Sequence, residues 1–261
     1  MEINNSLKTV LKRLRLSGLL ITLIDRIAYA KKQGLPYQDF LELVLQDEID
    51  RRDQTGLALR LQKAQFQEEQ VFENFDWNAP VTFDRDKVKN LFSLGFLERR
   101  EDVILMGPVG VGKTFLASAI GHSACRAGKK VLFLRADSLL KELLQSRADH
   151  STDKVMRKLI SMDLLIIDDF GLRRLSHEQS SDLYEIIVER HRRASTIFSS
   201  NRTIEEWIPL FDDPILAQSA IDRLAHNAHQ VVIEGDSYRK RQGPAAQNAK
   251  PVSKPKGGPK K

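Results

Sequence analysis

The chain has 261 residues, 41% of them hydrophobic and 29% charged, with a formal net charge of +6 and a single cysteine, Cys125. That length allows a full α/β core plus a small accessory module, and one cysteine excludes a disulfide framework or a zinc set. No apolar run spans a bilayer and MEINNSLKTVLKRL is no signal peptide, so a cytoplasmic protein without membrane contact is expected.

The positive charge is not evenly spread. The stretch after Asp236 holds eight Lys/Arg and no acid, so of 41 basic residues 33 fall in 1–236 beside all 35 acids. Residues 1–35 carry seven bases against Glu2 and Asp25, whereas 36–80 carry ten acids and four bases. Segregation of this kind suggests local polyanion contact rather than a uniformly basic surface. The other reading of any one cluster is a solvated helix face.

In chain order, Leu7, Val10, Leu11 and Leu14, then Leu19, Leu20, Leu23, Ile24 and Ile27, recur at helical spacing, with a break at Ser17-Gly18 and an end at Gly34-Leu35-Pro36. Two short helices fit, and a third is expected from Tyr37 to about Phe66 with Gly56 as a possible kink. Residues 1–70 thus read as a small all-helical domain. From about Val71 to 240 the texture becomes α/β, with five buried strands expected at Asp102–Gly107, Lys130–Ala136, Leu164–Phe170, Thr196–Asn201 and Gln230–Gly235. Residues 241–261 are too rich in Pro, Gly and Lys to fold and read as a disordered basic tail.

The first expected strand runs into GPVGVGKT, residues 107–114, and then into a stretch with helical spacing. This is a phosphate-binding loop in its required context. Gly107, Gly110 and Gly112 let backbone N–H groups turn inward on a polyanion. Pro108, Val109, Val111 and Phe115 complete the nucleotide-binding segment. Lys113 reaches the β/γ-phosphates, and the Thr114 hydroxyl is placed to hold Mg²⁺.

The third expected strand, LLIIDD, ends in Asp168 and Asp169 at the carboxyl edge of the sheet, where ligands of open α/β folds bind. Asp168 is assigned to the Mg²⁺ shell and Asp169 to polarising the attacking water. The next strand ends at Asn201, which is read either as a contact to the γ-phosphate or water, or as a turn residue.

GPVGVGKT, LLIIDDFG, TIFSSNR and AIDRLAHNAHQVVIEGDSYR together resemble AAA+ ATPases of the initiator and helicase-loader clade, and most closely the IstB family of transposition helpers. The N-terminal LKRLRLSGLLITL, KKQGLPYQDFLELVLQDEI and VFENFDW stretches resemble that family too, so the likeness covers about residues 6–240. It implies an AAA+ P-loop NTPase with a five-stranded parallel sheet that binds ATP and Mg²⁺, forms homo-oligomers on double-stranded DNA and assists an IstA-like transposase. Its alternatives are a DnaC-like helicase loader and a structural DNA scaffold with nucleotide as oligomer glue.

By the same resemblance Arg223 matches an arginine finger that reaches a neighbouring subunit's γ-phosphate, and Arg239 matches a γ-phosphate sensor in cis. Two departures from the wider AAA+ pattern stand out: Asp169 replaces a longer glutamate, and only 26 residues follow Gly235, so no helical lid domain is expected. Slow hydrolysis and an assembly-switch role for ATP follow. Residues 137–161 form an expected helix pair where initiator-type relatives carry a DNA-facing insertion. Lys141, Arg147, Lys154, Arg157 and Lys158 supply charge there without aromatic stacking platforms, which favours phosphate contacts to duplex. The basic N-terminal helix, with Lys8, Lys12 and Arg13, is the other candidate, for DNA or for docking a neighbouring subunit.

Overall fold

The structure, a computed structural model, describes residues 2–77 and 79–236; Arg239 and the basic tail lie outside the described residues. It divides into a unit ending at Gln62 and a second beginning at Lys63.

The first unit is built from α1 (Asn5–Arg13), α2 (Leu19–Gln33) and most of α3 (Tyr37–Ala64). Asn4 caps α1 by accepting from the Ser6 N–H at 2.9 Å, and α2 ends on Gly34 in the left-handed conformation ahead of Pro36. Helix α3 runs uninterrupted through Gly56. Leu11, Leu19, Leu23 and Val44 form a small core with Ile27 and Phe40 packed on it. Buried Glu48 accepts from Arg51 at 2.7 Å and Arg52 at 2.8 Å; the Arg51 guanidinium, then Arg52, hold its carboxyl down to about 2. At Gly18, which precedes α2, a Cβ would lie 1.8 Å from Arg51 Nε, so any larger residue there would displace the Arg51 side chain.

The second unit is a parallel sheet covered on both faces. Its strands are β2 (Asp102–Met106), β3 (Val131–Arg135), β4 (Leu164–Phe170), β5 (Ser195–Ser200) and β6 (Ala228–Val232), in the spatial order β3-β4-β5-β2-β6. They are continuous apolar runs because both faces are buried. On one face Ile104, Leu132, Leu165, Ile167 and Phe198 join the core made with α7 (Ala136–Ala148), α8 (Thr152–Ile160), α9 (His177–Arg190) and α10 (Pro214–Asn227). On the other lies α6 (Lys113–Arg126), pressed so close that a Cβ on Gly121 would come within 2.8 Å of Ile166 and Phe66. The short helices α4 (Arg85–Phe92) and α5 (Gly95–Arg99) lead into β2.

Four of the five expected strands are found to within a residue or two at their ends, and the fifth is corrected. Gln230–Gly235 is not one strand: β6 begins earlier, at Ala228, and stops at Val232. Glu234–Gly235 then pairs antiparallel with Val81–Thr82, giving a separate ribbon of β7 and β1. Within that ribbon Gly235, paired with Val81, has a φ of 135° that suits glycine, and a Cβ there would lie 2.7 Å from the Pro80 carbonyl oxygen.

Candidate nucleotide site

The loop from β2 to α6 is shaped by its glycines. Gly107, Gly110 and Gly112 have φ of 150°, 86° and 99°, a region that L side chains rarely adopt. At Gly107 any side chain is excluded outright, because a Cβ would sit 2.0 Å from the Ile233 carbonyl oxygen. The loop thereby wraps against the end of the sheet, and α6 opens at Lys113 with its N–H groups and dipole directed at the loop.

Lys113 is only 5% exposed. Its ammonium donates to the carbonyl oxygens of Gly107 and Pro108 at 2.8 and 2.7 Å and to Asn201 Oδ1 at 2.6 Å. Asn201, at the end of β5, is thus joined directly to the phosphate-loop lysine across 88 positions of sequence.

Thr114 donates its hydroxyl to Asp168, with Oγ1 lying 3.1 and 3.0 Å from the two carboxylate oxygens. Ser199 also donates to Asp168 Oδ1. Asp168 is 1% exposed; burial raises its pKa and neighbouring Asp169 pushes the same way, while the Ser199 and Thr114 hydroxyls oppose them. A raised carboxyl pKa in a cleft marks a place where added positive charge is favourable.

Asp169 follows in the left-handed conformation, φ 56°, where the β4–β5 register breaks between Ile167 and Phe170. Its N–H donates to Ser199 Oγ at 3.0 Å, and its half-buried carboxylate pairs with Arg135, at the end of β3, at 2.9 Å. The bulge turns two successive carboxylates in different directions: Asp168 toward Thr114, Asp169 toward Arg135.

Of these groups, residues 109–116 of the loop and α6, with Asp169 and Asn201, line a cavity of about 650 Å³, joined by Ile233; Asp168 does not line it. Its far wall was not foreseen from sequence: Gln67–Gln70, Phe75, Pro80, Val81 and Phe83 close it. Phe75 packs on Phe115 and Phe83, each at 5.8 Å between ring centroids, an apolar wall of the kind that receives a flat ring. The VFENFDW stretch carries part of this wall, but nothing in its periodicity signals a binding role.

Other candidate residues lie apart from the cavity. Arg223 on α10 donates back one turn to Ser219 and lies over the Tyr184 ring, 5.9 Å from its centroid. It does not line the cavity of its own chain. In the helix pair, Arg147 is paired with buried Asp182 of α9, and Lys158 with Glu142 of α7 at 3.0 Å. Arg157 donates to the Asp153 carbonyl oxygen, while Lys141 and Lys154 are exposed. Lys12 and Arg13 are exposed on α1, with Lys8 partly so. Among the described residues no cluster of three or more His, Cys, Asp or Glu could hold a metal unaided, and no helix is long and apolar enough to cross a membrane.

A five-stranded parallel sheet with a glycine loop, a buried lysine, a Thr–Asp pair and a polar strand end converging on one cavity defines a P-loop NTPase of the AAA+ kind. The fold is shared by the solved DnaI, with a TM-score of 0.54, 21% identity and coverage of 63% of this chain and 91% of that one. It is shared also by the replication initiator DnaA bound to AMPPCP and single-stranded DNA, with a TM-score of 0.56, 20% identity and coverage of 66% and 52%. The chain belongs to the family of IstB-like ATP-binding proteins, whose family model matches residues 9–246. A Mycobacterium tuberculosis protein named as an ATP-binding protein in an insertion sequence is 38% identical over 92% of this chain and 96% of its own length. One named for insertion sequence IS21 of Pseudomonas aeruginosa is 34% identical over 95% and 96%.

Proposed function

We propose that the protein is an ATP-hydrolysing switch of insertion-sequence transposition: it binds ATP with Mg²⁺, oligomerises on duplex DNA and recruits and activates the partner transposase. The observation that carries the reading is the convergence of Lys113, Thr114, Asp169 and Asn201 on one cavity, with Asp168 held against Thr114 behind it, in a chain whose relatives are named for ATP binding and for insertion sequences.

Thr114 and Asp168 offer oxygens 3.0–3.1 Å apart, a hard-donor pair that would hold Mg²⁺, which would supply positive charge against the phosphates. Lys113 holds the β/γ-phosphates by turning its ammonium from the loop carbonyls. Asn201 orients the terminal phosphate or the water, and Asp169 accepts the water's proton. The Phe75, Phe83 and Phe115 wall excludes solvent around the base. Arg239 is a γ-phosphate sensor in cis.

Arg223 keeps the role its resemblance to an arginine finger implies: lying outside its own chain's cavity, it acts on a neighbour's γ-phosphate, so that the site is complete only between subunits. Duplex contacts come from the helix pair, through Lys141, Lys154 and Arg157 with Arg147 and Lys158 beside them, or from α1. The test is sedimentation with duplex DNA and Mg²⁺: large assemblies are expected with ATP and not with ADP, and identical profiles in the two nucleotides would overturn the reading.

A further inference from the structure

Strand β5 ends in two serines where packing alone would take apolar side chains. All of its residues are buried, and across the ladder Leu105 and Met106 of β2 stand beside Ser199 and Ser200. A buried hydroxyl is destabilising unless it is hydrogen-bonded, so the bonds each serine makes account for its place. Ser200 secures the chain beyond the two strands: its Oγ donates to the Phe170 carbonyl oxygen at 2.8 Å and accepts from the Arg202 N–H at 3.1 Å and from Trp207 Nε1 at 3.2 Å. Ser199 is spent entirely on the acidic pair.

The β4–β5 ladder joins Ile167 to Phe198 and Phe170 to Ser200, so Asp168 and Asp169 stand opposite Ser199 alone. Two residues against one is a bulge, whose extra residue is left out of the pairing. One hydroxyl here serves both. The Asp169 N–H can only donate, so Ser199 Oγ accepts from it at 3.0 Å and sends its single hydrogen to Asp168 Oδ1. Among the described residues the other donor to the Asp168 carboxylate is the Thr114 hydroxyl, and Oδ2 accepts from Thr114 alone. Ser199 does not itself line the cavity.

We infer that Ser199 is the positioning residue of the Mg²⁺ site: by tying Asp168 Oδ1 to the Asp169 N–H it fixes the bulge and leaves Asp168 Oδ2, beside Thr114, for the ion. The inference rests on the proposed role of Thr114 and Asp168 as Mg²⁺ ligands and adds the group that aims the carboxylate. A ligand held by a hydrogen bond from behind needs no further ordering when the metal arrives, and loss of such an outer partner lowers metal affinity by about tenfold to a hundredfold. The Ser199 hydroxyl bonds neither Lys113 nor Asn201, so the contacts offered to the triphosphate do not depend on it.

The test is titration of the full-length chain with a fluorescently labelled ATP, once in EDTA and once in excess Mg²⁺. Ser199→Ala removes the hydroxyl, whereas Ser199→Cys fills nearly the same space with a group that donates and accepts only weakly. Both should match the parent in EDTA to within about twofold and bind about tenfold more weakly than the parent in Mg²⁺. Circular dichroism checks each fold, and the cysteine variant, which leaves no void, reads the hydroxyl's role even if the alanine variant is unstable. Parent-like affinity of Ser199→Cys in Mg²⁺ would reduce Ser199 to a packing residue and overturn the inference. An equal loss in EDTA and in Mg²⁺ would overturn it too, because the defect would then lie in the pocket at large. Asp168→Asn separates this from the reading beneath it. A parent whose ATP affinity ignores Mg²⁺, or an Asp168→Asn variant that responds to Mg²⁺ as the parent does, would overturn the Mg²⁺ site itself.

Discussion

Lys113→Ala tests the nucleotide cavity most sharply, and its size follows from the lysine's partners. The ammonium holds three protein acceptors at 2.6–2.8 Å, and on nucleotide binding part of that donor capacity passes to phosphate. Two redirected charge-assisted hydrogen bonds at about 1.5 kcal/mol each amount to about 3 kcal/mol, roughly a hundredfold in affinity. The assay is thermal unfolding with and without Mg-ATP, backed by direct titration. With ATP at about a hundred times the parent's Kd, binding stabilises the folded state by about 2.7 kcal/mol. For a unit of this size that is an upward shift of about 5–10 °C. The variant at the same concentration gains only about 0.4 kcal/mol, or about 1 °C. Each protein's melting temperature without ligand controls for folding. A variant that shifts as far as the parent would refute the placement of the triphosphate at Lys113.

Further outcomes follow from the other residues. Asp169→Asn should keep ATP affinity and stop turnover, trapping DNA-bound assemblies; a normal hydrolysis rate would remove Asp169 from the chemistry. Arg135→Gln should free the Asp169 carboxylate and raise the DNA-independent ATPase rate several-fold, which a steady-state phosphate assay would register. Neutralising Lys154, Arg157 and Lys158 together should spare nucleotide binding and flatten the salt dependence of duplex affinity, by up to about one unit of slope per lost contact. An unchanged slope moves the DNA surface to α1 or the tail. Burial pushes the Asp102 carboxyl up to about 7, against the opposing pull of the Thr196 N–H and Arg190. Its folded pKa lies above the unfolded one, so this group's contribution to stability falls as pH rises between about 4 and 7. Asp102→Asn should flatten that slope in denaturant titrations and stabilise most at pH 8.

The sheet was legible because buried parallel strands are short apolar runs, and LLIIDD or VILM needs no tertiary information to be read. The loop was legible because three glycines, a lysine and a threonine at fixed spacing have few uses beyond phosphate. What escaped depends on contacts distant in sequence. The β1–β7 ribbon pairs Val81 with Gly235 through two-residue strands that carry no periodicity. The Phe75 and Phe83 wall is apolar like any core segment until it is seen to face a cavity. The Arg135–Asp169 pair joins two strand ends 34 residues apart, and nothing in either strand's sequence announces it. Arg147 and Lys158 look like free cations in sequence and prove to be tied to Asp182 and Glu142.

The claim that the ATPase site is shared between subunits is tested most directly by mixing two dead proteins. Arg223→Ala keeps its own Asp169, and Asp169→Asn keeps its own Arg223, so an interface that presents the second protein's arginine to the first protein's cavity is whole. Measured on duplex DNA with Mg-ATP, each variant alone should be inactive and the mixture should hydrolyse ATP at a substantial fraction of the parent rate. A mixture no more active than the sum of its parts, at concentrations where the parent assembles, would contradict the shared site.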